Sequence, residues 1–381
     1  MTETIGQTAA DLPARVLIFS HRNIFPTDLW RCPLYEFEDV ICEIDRADMW
    51  APERLRSYRL RSRVAHRLMS HWSIASNPGI STAQIGKRYD LFFAVCAFSF
   101  DLLDLAFDTT WKDRCRMSIC LIDEMWLSEL KVWEKYVQLL KHFDHVMLYY
   151  SGSVSAVNGL TGVPCQYLPP GVDAIRFCPY PDPPQRVVDV YSYGRRSART
   201  HQKLLEMAEA RRIFYVYDTT VAGRVIRAEE HRSLLQNILQ RSRFTIVNPG
   251  KIDEPHVSAN QIEIGNRYFE GAAAGAIMIG ETPTNREFPK LFAPNAVVQL
   301  PYDSAEVAAV IEELDSDTAR QDQIRRANIV DSLLRHDWTY RWEAILQIAG
   351  LDPCSELRQR KLRLERLAAG IDQRAASSGT R

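Results

Sequence analysis

The sequence predicts two α/β halves, each a parallel sheet with crossover helices, joined by a proline-rich hinge. Three observations carry that expectation. Short apolar runs alternate with amphipathic stretches, the rhythm of strands covered by the helices that connect them. The rhythm stops at residues 167–185, where six prolines fall in nineteen residues, and then restarts. The chain has 381 residues, more than one hydrophobic core usually supports. Two domains of about 180 residues are therefore the default. The boundaries read as an N-terminal Rossmann-like domain at 1–167, the hinge at 168–186 and a C-terminal Rossmann-like domain at 187–330. Helices follow at 331–370, then a polar, disordered tail at 371–381.

The elements follow in order. ARVLIFS (14–20) is the first strand and ends in the polar cluster Ser20, His21, Arg22, Asn23. YDLFFAV (89–95), RMSICLI (116–122) and DHVMLYY (144–150) are continuous in apolar residues, as strands buried on both faces are. Helical periodicity fits 51–70 and 126–142. The segment YLPPGVDAIRFCPYPDPPQ is too rich in proline for helix or central strand and reads as a stiff connector. Beyond it, VVDVYSYG (187–194), RRIFYVYDT (211–219), SRFTIVN (242–248), AIMIGE (276–281) and AVVQLPY (296–302) read as strands. Helices are expected at 198–210, 229–240, 258–274 and 304–315, and from 316 onward. No internal repeat is visible.

Composition narrows the function classes. Hydrophobic residues make up 46% and charged residues 25%, an ordinary globular balance, and the net charge of −1 gives no overall basicity pointing to nucleic acid. The eight cysteines form no CxxC pair and several sit in apolar runs, so they read as reduced, buried thiols of a cytoplasmic protein rather than metal ligands. The start, MTETIGQTAADLP, has neither the basic region nor the apolar centre of a signal peptide. The apolar stretch LFFAVCAFSFDLLDLAF is cut by Asp101 and Asp104 and does not read as a membrane span.

Open α/β sheets bind ligands at the carboxyl ends of their strands. Four clusters fall there: Ser20 to Asn23, Asp123 with Glu124, Gly194 to Arg196, and Gly265 to Glu270. The last opens an alanine-rich helix, IGNRYFEGAAAGAIMIG, in which Glu270 is the lone carboxylate among small residues. Alanines let such a helix lie close against a sheet, while Glu270 faces the crevice.

Three segments carry a family resemblance. LPPGVDAIRFCP (168–179) is similar to a PxGVDxxxFxP segment, YSYGRR (191–196) to an xxGR strand end, and GNRYFEGAAAG (265–275) to GxPxxEAxAxG. In that order the chain resembles a GT-B nucleotide-sugar glycosyltransferase of the group-one, E-x7-E type, near its spore-coat-protein-like branch. The resemblance covers the hinge and the C-terminal domain. It implies two Rossmann-like domains facing a central cleft, with the donor on the C-terminal domain, the acceptor on the N-terminal one, and last helices that cross back.

The resemblance also implies roles. Glu270 would accept the donor ribose hydroxyls, since an ionised carboxylate can take both. Gly265 would let the backbone pass close to the donor. The helix start at Asn266 would offer free N–H groups to the diphosphate. Arg195, Arg196, Arg267 and Lys203 are the candidates to neutralise it, and Gly275 ends the helix. For a base or acceptor-binding group, Asp123 and Glu124 come first and His21 next; Trp126 offers an aromatic face to a sugar ring. The family's first signature glutamate falls on Ile262, with Glu263 one place away, which leaves retaining against inverting chemistry open. No metal and no cofactor beyond the nucleotide-sugar co-substrate are expected. The acceptor is a glycan, a lipid-linked species or a small molecule, nucleic acid is not an expected partner, and the basic run 358–367 leaves peripheral contact with the inner membrane surface open.

Bland readings stand beside these. Glu270 could be a surface residue, Arg195 and Arg196 solvated charges, Asp123 a helix cap and His21 structural; His336, beside Trp338 and Trp342, reads as domain-interface packing. A nucleotide-sugar epimerase and a non-catalytic sugar-nucleotide-binding protein are the other functional readings. A pyridoxal-phosphate phosphorylase is disfavoured, because no lysine stands at an apolar strand end of the C-terminal half.

Overall fold

The computed structural model describes residues 2–5, 13–219 and 223–378. Part of the segment read against a signal peptide, and residues 379–381 of the expected tail, lie outside the described residues. Strands β1 (Thr2–Ile5), β2 (Val16–Phe19), β3 (Ala47–Trp50), β4 (Thr82–Ile85), β5 (Tyr89–Cys96), β6 (Cys115–Ile122), β7 (His145–Leu148) and β8 (Cys165–Tyr167) precede the hinge. Six of them form one parallel sheet in the order β3-β2-β5-β6-β7-β8, and β1 pairs with β4 apart from it. After the hinge, β9 (Val188–Ser192), β10 (Tyr215–Tyr217), β11 (Ser242–Val247), β12 (Ile277–Gly280) and β13 (Val297–Gln299) form a second parallel sheet, β10-β9-β11-β12-β13. Both are doubly wound, with strand order reversing beside β2 and beside β9.

The apolar runs are continuous because each sheet buries both faces. Along β2 and β5, Val16, Ile18, Leu91, Phe93 and Val95 enter one core, and Leu17, Phe19, Phe92, Ala94 and Cys96 enter the other. In the second sheet Val190, Phe244, Ile246, Ile277 and Ile279 face one side, Tyr191, Val247 and Met278 the other.

Several elements differ from expectation. The helix placed at 51–70 runs Tyr58–Trp72, because Leu55 N–H and Ser81 N–H instead exchange bonds with Gly79 and Glu53 carbonyls. The helix placed at 126–142 is broken into the short turns Leu127–Glu129, Glu134–Val137 and Gln138–His142. The helix placed at 258–274 starts only at Asn266. Helix Cys32–Ile44 was not foreseen. The final helix, Ser355–Ser378, continues past Gly370, where the tail was placed, and carries Ile371 into a core with Leu364 and Ala368. All eight cysteines are free, but Cys42 is exposed rather than buried.

The hinge is no loose linker. Val172, Ala174 and Phe177 are fully buried, and one helical turn, Ala174–Phe177, forms where none was expected, capped by Asp173 on the Arg176 N–H. The C-terminal helices pack on the first sheet's domain: Trp338 stacks on Phe37 at 4.7 Å, and Trp342 Nε1 donates to Asp45 at 2.8 Å. His336 packs between Phe269 and Phe292, buried and uncharged because burial pulls its pKa well down. Hinge and crossing helix meet at Gly171, where a Cβ would lie 2.6 Å from Trp338 Cε3 and 3.0 Å from the His336 carbonyl. Gly171→Ala is therefore expected to cost about 1–3 kcal/mol by overpacking, read as a lowered melting temperature.

Candidate functional site between the two sheets

The carboxyl ends of both sheets open on one cleft of about 400 Å³. From the N-terminal domain it receives Asp123 and Glu124 after β6, Tyr150 after β7, and Leu29 and Trp30 from the loop after β2. From the C-terminal domain it receives Tyr191, Tyr193 and Gly194 at the end of β9, Asp218 after β10, and Gly265, Asn266, Arg267 and Glu270 of the alanine-rich helix.

Its floor is an ion cluster that the sequence did not reveal. Arg232, on helix Ala228–Gln240, is 2% exposed. Its Nε and Nη2 reach Glu36 of the N-terminal domain at 2.7 and 3.0 Å, and its Nη1 donates to Glu270 Oε1. Glu36 Oε1 also accepts from Trp338 Nε1 at 2.9 Å and Asp173 N–H at 3.0 Å. Burial opposes the Glu36 charge, but Arg232 and these donors outweigh it and hold the carboxyl below its ordinary range. Glu270 Oε2 takes the Tyr193 hydroxyl at 2.8 Å. Glu270 is thus no surface residue: it is 3% exposed, at the cleft floor, with both oxygens engaged inside the protein.

The cleft walls are clasped on both sides. On one, Leu29 N–H donates to the Gly223 carbonyl and Val225 N–H to the Thr27 carbonyl, each at 2.8 Å, while Trp30 covers Gly223. On the other, Lys251 Nζ meets Glu124 at 2.6 Å, and Gln261 Oε1 accepts from Leu127 N–H at 2.8 Å. Glu263 accepts from Ser151 N–H at 3.0 Å and Gly152 N–H at 2.8 Å. This carboxylate, the neighbour of Ile262, clasps the amino-terminal domain instead of facing the cleft. Its backbone course also explains why no helix forms over 259–265.

The candidate residues separate accordingly. Asp123 is half-buried in the cleft; its backbone N–H donates to the Cys96 carbonyl at 3.0 Å, but its carboxyl makes no hydrogen bond among the described residues, so it is no helix cap, and burial and the neighbouring Glu124 push that carboxyl up to about 8. Glu124 is occupied by Lys251 and by Trp126 Nε1 at 2.6 Å. Trp126 itself is fully buried, which removes it as a sugar platform. His21 lies outside the cleft, 1% exposed, with Nδ1 3.2 Å from the Val95 carbonyl and Nε2 3.2 Å from Asp104. Burial opposes its charge, yet Asp101 and Asp104 raise it to about 9, so it is a structural cation and not a base.

Of the four cations that the sequence offered for the diphosphate, Arg267 is the one that lines the cleft. Its Nη1 donates to the Tyr193 and Arg195 carbonyls at 3.2 Å each, beside Gly194. Arg195 turns to Asp253 and Glu254, Arg196 to Asp218, and Lys203 to Glu206 on an outer helix. Gly265 is the N-cap of the alanine-rich helix, with open space where a Cβ would stand, and Asn266 leaves a buried Oδ1 without a partner among the described residues. Tyr191 and Tyr193, stacked at 5.1 Å, were missed although their alternate spacing in YSYG places both on one strand face. Among the described residues no three His, Cys, Asp or Glu side chains gather as a metal-holding group.

Comparison with known proteins now decides the architecture. A structure of Anabaena Alr3699/HepE in complex with UDP superposes with a TM-score of 0.53 at 12% identity, over 88% of this chain and 100% of that one. The same protein in complex with UDP-glucose gives 0.52 at 11% identity, over 88% and 99%. An alpha-glucosyltransferase in complex with UDP-glucose and DNA containing an abasic site gives 0.52 at 12% identity, over 91% and 100%. The fold is GT-B. Within it, residues 195–347 match a family described as glycosyl transferase-like, a segment that begins just past β9 and takes in the alanine-rich helix. No curated protein matches the chain in sequence.

Two outcomes are expected from this geometry. Arg232→Met strands two buried carboxylates and should destabilise the fold by about 3–5 kcal/mol in chemical denaturation. For Asp123, the unfolded carboxyl ionises near its ordinary value while the folded one keeps its proton to about 8. The folded state then binds more protons across that interval, so stability falls as pH rises through it. Asp123→Asn should remove that part of the fall, measured by melting temperature against pH.

Proposed function

We propose that the protein transfers a sugar from a nucleotide-diphosphate donor to a glycan, lipid-linked or small-molecule acceptor, with retention and without a metal. The observation that carries this reading is the cleft itself. A carboxyl without a hydrogen-bond partner among the described residues comes from one domain, and Gly265, Asn266 and Arg267 of the other offer a seat for an anion on the same half-open cleft. The helix start supplies free N–H groups and a positive dipole end, and Arg267 adds a fixed charge for the diphosphate as it leaves. The glycosyl transferase-like match over 195–347 and the nucleotide-bound GT-B neighbours support the donor class. Free cysteines fit a reducing, cytoplasmic setting.

Retention is supported by Asp123. A carboxyl that keeps its proton to about 8 is a hydrogen-bond donor at neutral pH and cannot take the acceptor's proton. In the proposed step the bond from the anomeric carbon to the diphosphate breaks. The acceptor oxygen bonds that carbon from the same face, and its proton passes to the departing diphosphate oxygen. Glu270 is proposed to accept the ribose hydroxyls with the lone pairs left over from Arg232 and Tyr193.

A second reading has its own support. Glu263 is spent on a domain clasp and both oxygens of Glu270 are already bonded, which suits a sugar-nucleotide-binding protein without turnover. An epimerase would convert the donor without releasing nucleotide.

The first test is a thermal-shift screen against nucleoside diphosphates and their sugars. A ligand at 100 times its dissociation constant adds about 2.7 kcal/mol. Gly265→Ala should leave the unliganded melting temperature unchanged and erase the ligand shift, because its Cβ meets only the space assigned to the ligand. If no diphosphate shifts the wild type, the donor reading falls. Given a shift, transfer should decline as pH rises through about 8, while Asp123→Asn, neutral throughout, should lose that decline. Binding without release of nucleotide would select the non-catalytic reading, and the anomeric configuration of the product settles retention.

A further inference from the structure

We propose that helix Tyr58–Trp72 docks this protein on an anionic membrane surface. The proposal stands on a face separate from the cleft and does not depend on the donor reading. The helix buries only Ala65 and Met69, against Leu103 and Tyr136. Its outer face leaves large apolar groups in solvent: Leu60 is 69% and Val64 50% exposed, and at its end Trp72 is 62% and Ile74 51% exposed.

Charge identifies the occupant. Between Glu53 and Asp90 the sequence contains no Asp or Glu, yet it carries Arg54, Arg56, Arg59, Arg61, Arg63, Arg67, Lys87 and Arg88. The guanidinium groups of Arg56, Arg59, Arg61, Arg63 and Arg67 make no ion pair or hydrogen bond among the described residues, although the chain as a whole is nearly neutral. At 100° per residue, Leu60, Val64, Arg67 and His71 share one outward stripe, flanked by Arg61 and Arg63. Cations around an outward apolar ridge match a headgroup layer, where phosphates meet the arginines and the apolar side chains enter below them. A nucleic acid would satisfy the charge and leave Leu60, Val64, Trp72 and Ile74 unpartnered.

In the basic run 358–367, where membrane contact had been left open, two of the five cations are already paired and Glu365 interrupts the charge. Arg360 is held by Asp173 at 2.6 Å and Asp337 at 2.9 Å, and Lys361 by Glu343 at 2.8 Å. Arg54 lies over the rings of Phe25 at 5.0 Å and Tyr58 at 4.7 Å, tying the start of the helix to the loop that carries Trp30 to the cleft.

The test is co-sedimentation of the full chain with vesicles of phosphatidylcholine alone and of phosphatidylcholine mixed with phosphatidylglycerol. Binding is expected only to the mixed vesicles, and it should weaken with salt. Replacing Arg59, Arg61, Arg63 and Arg67 by Gln should weaken it roughly a thousandfold, at about five- to sixfold per cation. Leu60→Ser with Val64→Ser should weaken it at least about tenfold through lost apolar insertion. Both variants alter exposed side chains, so an unchanged melting temperature confirms that each is folded. No binding to mixed vesicles, equal binding to both kinds, undiminished binding by either folded variant, or displacement from vesicles by single-stranded RNA overturns the proposal.

Discussion

Arg232 holds the molecule together at a point where four separate parts of the chain meet. Its guanidinium bonds Glu36 of the N-terminal domain and Glu270 of the C-terminal domain, and lies 4.9 Å over the ring of Phe177 in the hinge. Through Glu36 it is tied to Trp338 of the returning helices. A buried guanidinium is costly to desolvate, and the cluster is weak evidence for net stability. What it supplies is specificity: each carboxylate has a fixed partner, so the two domains close in one register and the cleft keeps one shape.

The electrostatics of the cleft follow from that cluster. Two carboxylates share one arginine, so the floor carries an excess of negative charge. The proposed anionic donor would therefore be met higher in the cleft, where the N-terminus of the alanine-rich helix and Arg267 stand. On the opposite wall, desolvation and the neighbouring Glu124 raise the Asp123 carboxyl to about 8. Floor, seat and acid thus form one arrangement, in which charge is spent on assembly below and left free for a ligand above.

Much of the fold was legible because parallel strands buried on both faces read as apolar runs whatever their neighbours, and β2, β5, β6, β7, β9, β11 and β12 all announced themselves so. The breaks in the expected helices were not legible. Gln261 and Glu263 leave the helical path to bond Leu127, Ser151 and Gly152, more than a hundred residues earlier in the chain. No local pattern reports such a partner. Glu270 and Gly265 were found by the contrast of one acid and flanking glycines with alanines, a signal within a single helix. Arg232 had no such signal, since nothing in an ordinary amphipathic helix marks one arginine as buried.

The sequence by itself determined the two-sheet plan and pointed to the strand ends and helix start that line the cleft, because periodicity and small residues act over a few neighbours. Only the tertiary structure decided which charges remain free there. Arg195, Arg196, Glu124 and Glu263 find partners, Asp123 and Arg267 stay at the cleft, and His21 is sealed away from it. The reason is physical: ionisable groups are set by whatever lies within a few ångströms, and folding brings those neighbours from anywhere in the chain.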